Sequence, residues 1–260
     1  MHAVKYKLAL LVVVCVAAPV WAAQSGGTAR VRTRSYFFEE AGRQSDYKLL
    51  VSSRYRADVP APLIVALHPF GIAPQGIMLY QGLIELADAR GYIVVAPTGY
   101  DPRVWYAAGE SAAGTAGRSA GELSELDAMH VIAEVRRKYT VDPGRIYLLG
   151  HSMGGGATWH FGVKYPNLWA ALAPVAPAIA SDPAMLKDIV DTPVIVVQGT
   201  ADQSVSVART RRWVDTMREL GMTYEYVEVP GGDHTSIIAR SPENMERIFD
   251  FFDRARRTGE

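Results

Sequence analysis

Short, nearly unbroken apolar runs recur along the chain at residues 62–67, 92–96, 146–149, 169–175 and 193–199. A run without alternating polar positions reads as a strand buried on both faces. Residues 30–38 and 47–52 alternate instead, as paired edge strands do, and 224–229 completes a set of eight. Between the runs the apolar positions move to helical spacing. In 76–90 these are Ile77, Leu79 read with Tyr80, Leu83, Ile84 and Ala87, and Gly91 stands where a helix ends. A further helix carries Leu126, Met129, Ile132 and Val135 on one face, with Ser124 and Asp127 spaced as a capping box. Residues 155–165, 205–220 and 242–256 supply the remaining helices. Repeated strand–helix–strand order predicts an α/β fold, a mostly parallel eight-stranded sheet with helices on both faces and no large cap domain.

One junction in this pattern carries chemistry. Gly150-His151-Ser152-Met153-Gly154 is a G-x-S-x-G pentapeptide between the apolar run 146–149 and the helix-compatible 155–165. In a nucleophile elbow a buried strand turns sharply into a helix and holds the serine Oγ at the tip. Such a serine needs an acid and then a histidine, later in the chain and in that order. His234 lies beyond Ser152 on the loop Pro230-Gly231-Gly232-Asp233-His234, whereas His160 sits on the helix leaving the elbow. Asp202 follows the run 193–199 directly, at a strand's C-terminal end where open α/β sheets place their sites. Asp233 competes for the role of acid. It adjoins His234, however, and neighbouring side chains on an extended loop point apart. Asp182 and Asp191 read as caps or surface. For an oxyanion hole, one donor is the amide of Met153 and the other comes from His68-Pro69-Phe70-Gly71 after the run 62–67. Pro69 has no N–H, which leaves Phe70 or, second, Gly71. His68 and His151 read as bracing and packing residues.

The bulk composition narrows the partners. The chain has 260 residues, is 49% hydrophobic, and balances 27 basic against 27 acidic residues. That suits one globular domain with a sizeable core and implies no nucleic acid or membrane-surface partner. Lys5 and Lys7 precede an apolar stretch at 8–18, and Val20-Trp21-Ala22 fits a cleavage site. Residues 1–22 therefore read as a signal peptide, 23–260 as the catalytic domain, and the destination as secreted or periplasmic without stable membrane association. The one cysteine, Cys15, lies within 1–22, so the mature chain would have no disulfide.

The order of these phrases, together with Val141-Asp142-Pro143-Gly144-Arg145-Ile146-Tyr147 and Ala157-Thr158-Trp159, resembles the α/β-hydrolase fold. It is similar to secreted esterases related to polyhydroxybutyrate depolymerases and feruloyl esterases, and to the catalytic domain of prolyl oligopeptidase-like enzymes. The resemblance implies Ser152 as nucleophile, Asp202 as acid, His234 as base, and Phe70 and Met153 as oxyanion donors. Pro69 departs from the glycine usual in that loop. The expected chemistry is acyl transfer on a small or polymeric ester, with no metal or organic cofactor; the alternative is a serine peptidase of prolyl oligopeptidase type. Trp105 and Tyr106, on the Gly/Ala-rich stretch 99–121, either wall a substrate pocket or pack that stretch down. Ile179 is expected to approach the site.

Overall fold

The computed structural model describes residues 30–106, 114–115, 117–179 and 181–257. The proposed signal peptide and Cys15 lie outside the described residues. Eight strands, β1 (Arg32–Phe38), β2 (Arg43–Val51), β3 (Ala61–Leu67), β4 (Ile93–Pro97), β5 (Val141–His151), β6 (Ala171–Val175), β7 (Val194–Gly199) and β8 (Tyr224–Val229), form one sheet. Its order is β1-β2-β4-β3-β5-β6-β7-β8. The pairs β1/β2 and β2/β4 are antiparallel and the remaining five are parallel. The sheet is thus mixed at one end and parallel through its centre.

Strands β3, β4, β6 and β7 are buried along their whole length, which is why their sequences do not alternate. The helices are α1 (Pro74–Ile77), α2 (Leu83–Arg90), α3 (Ala120–Lys138), α4 (Met153–Lys164), α5 (Val207–Glu219), α6 (Ser236–Ala239) and α7 (Pro242–Arg254). Two separate apolar layers result. One joins the sheet to α3, α4 and α5 through Val131, Trp159 and Trp213. The other joins its opposite face to α2 and α7 through Leu83, Ile248 and Phe252. On α7, Met245, Ile248, Phe249 and Phe252 fall on one stripe at helical spacing and are all buried.

Two helical expectations need correction. Residues 76–90 do not form one helix: α1 and α2 are separate, and Gly82 between them takes φ 85°. Only glycine adopts that left-handed conformation without strain. Tyr80, in the intervening turn, points inward. The capping box of α3 is Ser119 with Glu122, not Ser124 with Asp127. The latter two lie inside the helix and are buried. Ser124 Oγ accepts from the Tyr100 amide, while Asp127 accepts from Tyr36, Ser45 and the Gly99 amide. They tie α3 to β1, β2 and the chain leaving β4.

A second buried carboxylate, Glu125, joins α3 to α4. It faces His160 Nε2 at 2.8 Å, Lys164 Nζ at 2.6 Å and the Tyr165 hydroxyl. Burial alone would raise its pKa. The hydrogen bonds from His160, Lys164 and Tyr165 outweigh burial and hold it at about 2, against 4.5 ordinarily. A depressed folded-state pKa adds stability above the unfolded value, and that stability is lost as pH falls toward the folded one. Glu125→Gln is therefore expected to cost about 1–3 kcal/mol at neutral pH. In urea titrations its deficit against wild type should narrow between pH 4.5 and about 2. A deficit independent of pH would show that packing, not charge, sets the cost.

Candidate active site

The centre of the site is the turn from β5 into α4. Ser152 has φ 56° and ψ −114°, a sparsely populated region that costs a non-glycine residue about 1–3 kcal/mol. The surrounding backbone enforces it. The Ser152 amide donates to the Val175 carbonyl, and its own carbonyl accepts from Gly156 and Ala178, all at 2.9 Å. Two glycines admit this crossing. A Cβ on Gly150 would lie 2.0 Å from the Gly154 carbonyl oxygen, and one on Gly154 would lie 2.1 Å from that of Leu67. The chain leaving β3 thus runs directly against the first turn of α4.

His234 and Asp202 reach Ser152 from the ends of neighbouring strands. His234, on the loop after β8, places Nε2 2.8 Å from Ser152 Oγ and Nδ1 2.7 Å from Asp202 Oδ2. The Asp202 carboxylate is fully enclosed, whereas the His234 side chain remains 19% exposed. Oδ1 of Asp202 accepts from the amides of Ser204 and Val205, each at 2.8 Å. Oδ2 accepts from Gln198 Nε2 at 3.0 Å in addition to His234. Burial raises the Asp202 pKa, but the bonds from His234, Val205 and Ser204 outweigh it and hold the carboxyl below its usual range. The ionised acid then takes the Nδ1–H of His234, and Nε2 is left to accept from the Ser152 hydroxyl.

Gln198 did not emerge from the sequence as a site residue, although it is the one polar side chain within β7. Thr210 Oγ1 donates to its Oε1 at 2.9 Å, which turns the amide NH₂ toward Asp202. Asp233 is committed elsewhere: its Oδ1 accepts from the Thr235 and Ser236 amides at the start of α6. Those bonds hold its pKa at about 2.

The other predicted positions separate. Met153 opens α4 and is buried. Phe70 lies on the chain leaving β3 and is 53% exposed. The Gly71 amide donates to the Pro102 carbonyl at 2.9 Å, which engages the second-choice oxyanion donor. His68 is buried and braces the loop, with Nδ1 2.9 Å from the Pro69 carbonyl and Nε2 3.0 Å from that of Thr98. Trp105 and Ile179 line an open cavity of about 560 Å³ together with Ala178, Asp202, Ser204 and Arg209. Tyr106 does not. It is fully buried and packs against His68 and Phe161. Of this aromatic pair, one faces the cavity and the other anchors the loop.

Sheet order, elbow and strand-end residues together give the chain the α/β-hydrolase fold. Known proteins agree with this. The serine aminopeptidase S33 family matches residues 108–190, and the prolyl oligopeptidase family matches 179–258. A putative esterase, NocK, of Nocardia uniformis subsp. tsuyamanensis is 30% identical over 62% of this chain and 46% of its own length. The bifunctional acetylxylan esterase/xylanase XynS20E of Neocallimastix patriciarum is 26% identical over 61% of this chain and 22% of its own. The chain spans less than half the length of these two relatives. Among solved structures, a thermostable esterase superposes with a TM-score of 0.70 at 25% identity, covering 87% of this chain and 63% of that one.

Proposed function

We propose that the protein is a serine hydrolase that cleaves carboxylic esters through an acyl-enzyme. The observation that carries this reading is the hydrogen-bonded series Ser152–His234–Asp202, set at a helix N-terminus with Asp202 at the wall of an open cavity. In this reading His234 Nε2 takes the Ser152 proton as Oγ attacks the ester carbonyl. The amides of Met153 and Phe70 receive the developing oxyanion; one such donor is typically worth ~10²–10³ in rate. The C–O bond to the alcohol breaks, and His234 returns its proton to the leaving oxygen. Water, deprotonated by His234, then attacks the acyl carbon and frees Ser152 with the carboxylic acid.

Accessible esters suit this site better than deeply buried ones. Between β6 and β7 the described residues hold only a short 3₁₀ segment, Pro183–Ile189, so no cap closes over the cavity from there. An esterase among the relatives is named for acetylxylan, an exposed polymer ester. Residues 1–22 belong to this proposal as a signal peptide that directs the enzyme out of the cytoplasm. The partial matches to two peptidase families favour a second reading, a serine peptidase of prolyl oligopeptidase type.

Hydrolysis of p-nitrophenyl esters from acetate to palmitate, beside an aminoacyl-p-nitroanilide, separates the two. Turnover of short esters is expected. Anilide cleavage without ester turnover would establish the peptidase, and inertness toward both would overturn the hydrolytic reading.

A further inference from the structure

Behind the elbow lies a second series of hydrogen bonds that the proposed chemistry does not use. The hydroxyl of Tyr80, from the turn between α1 and α2, is 2.6 Å from His151 Nδ1. His151 Nε2 is 2.8 Å from the backbone carbonyl oxygen of His234. Both side chains are buried. The protons can be placed by elimination. A carbonyl oxygen only accepts, so Nε2 of His151 carries the hydrogen. In a neutral imidazole Nδ1 is then a lone pair, and the Tyr80 hydroxyl donates to it. Burial holds the His151 pKa down at about 4 and pushes the Tyr80 phenol up, so this arrangement persists across the neutral range.

Other bonds hold this loop before His234, where the Gly231 amide donates to Thr200 Oγ1 and the Gly232 carbonyl accepts from the Ala201 amide. Residues 230, 231, 233 and 235 of the loop that carries His234 are all exposed. Gly231 adopts φ 67°, and the next helix begins only at Ser236. The contact from His151 grips the loop at the residue whose ring must stay 2.8 Å from Ser152 Oγ. The two imidazoles lie 5.0 Å apart. A neutral His151 can therefore restrain His234 without opposing the positive charge that forms there.

We infer that His151 is a positioning residue: relayed from Tyr80, it fixes the main chain of His234 so that the imidazole stays in line between Ser152 and Asp202. This rests on the hydrolytic reading above. It explains a histidine before the nucleophile by a directed bond rather than by packing.

The test uses Tyr80→Phe, His151→Phe and His151→Gln, with steady-state kinetics on a p-nitrophenyl ester. A displacement of the base on the scale of 1 Å costs about 10²-fold. His151→Phe is accordingly expected to lower kcat by about 10- to 100-fold with KM nearly unchanged. Tyr80→Phe, which keeps the ring, is expected to give a smaller loss of the same kind. Glutamine can present an N–H where Nε2 stood, so His151→Gln should recover most of the loss. A raised KM with normal kcat, or equal losses in His151→Gln and His151→Phe, would overturn the inference. Nitrogen-15 NMR of the histidines in the wild-type protein gives a reading independent of turnover and of how the variants fold. The Nε2–H tautomer of His151 is expected, and the Nδ1–H tautomer would refute the relay. Finding the expected tautomer in a protein that hydrolyses neither ester nor anilide would sink the hydrolytic reading and leave the relay standing.

Discussion

Ser152→Ala is expected to lower ester turnover by about 10⁶-fold, to the level left when a serine nucleophile is deleted from an otherwise intact site. The same substitution should move the thermal midpoint by no more than about 4 °C, equivalent to roughly 1 kcal/mol in a chain of this size. The reason is local. The Ser152 side chain makes no capping bond to α4, and its hydroxyl is hydrogen-bonded to His234. The unusual φ is imposed by the backbone bonds to Val175, Gly156 and Ala178, and alanine meets the same constraint. Parallel measurement of kcat and of the melting curve checks both halves. A variant that kept substantial turnover would remove Ser152 from the chemistry. One that lost activity and stability together would show that the serine holds the elbow in place.

The parts of the molecule legible in the sequence are those where one local signal settles the outcome. Strands β3, β4, β7 and β8 fall within a residue or two of their apolar runs. The central ones are buried on both faces, so their sequences admit little else. The elbow was legible because close backbone packing at Gly150 and Gly154 excludes any side chain. Which residues meet Ser152 followed from chain order and from the rule that sites collect at strand C-terminal ends. What escaped was decided by partners distant in sequence. Residues 76–90 carry a helical pattern, yet the chain breaks at Gly82 while Tyr80 turns inward to His151, 71 residues away. Ser124 and Asp127 have capping-box spacing but serve as buried acceptors for groups on β1, β2 and the chain after β4. Gln198 lies within the run 193–199 and carries no signal of its own, because nothing local shows that Thr210 orients it toward Asp202. Spacing reports amphipathic periodicity; it does not report which polar group is waiting across the core.

Asp202→Asn is expected to lower kcat by about 10⁴-fold, the loss seen when an asparagine puts the wrong tautomer beside a catalytic serine. The geometry here dictates which way the new amide turns. The Oδ1 position receives two backbone N–H groups, from Ser204 and Val205, so the asparagine oxygen stays there. Its NH₂ must then occupy the Oδ2 position, facing the Gln198 amide and His234 Nδ1. That NH₂ donates to Nδ1, which has to present a lone pair. The imidazole proton consequently moves to Nε2, the nitrogen that faces Ser152 Oγ and should accept its hydrogen. The base is thus disabled without losing its position. Asp233→Asn is the control. Asparagine can still accept from the Thr235 and Ser236 amides that Asp233 caps, so kcat should remain near that of the wild type. If the results were reversed, with Asp202→Asn near normal and Asp233→Asn inactive, the acid would be Asp233, and the loop after β8 would have to rearrange during turnover to bring it to His234.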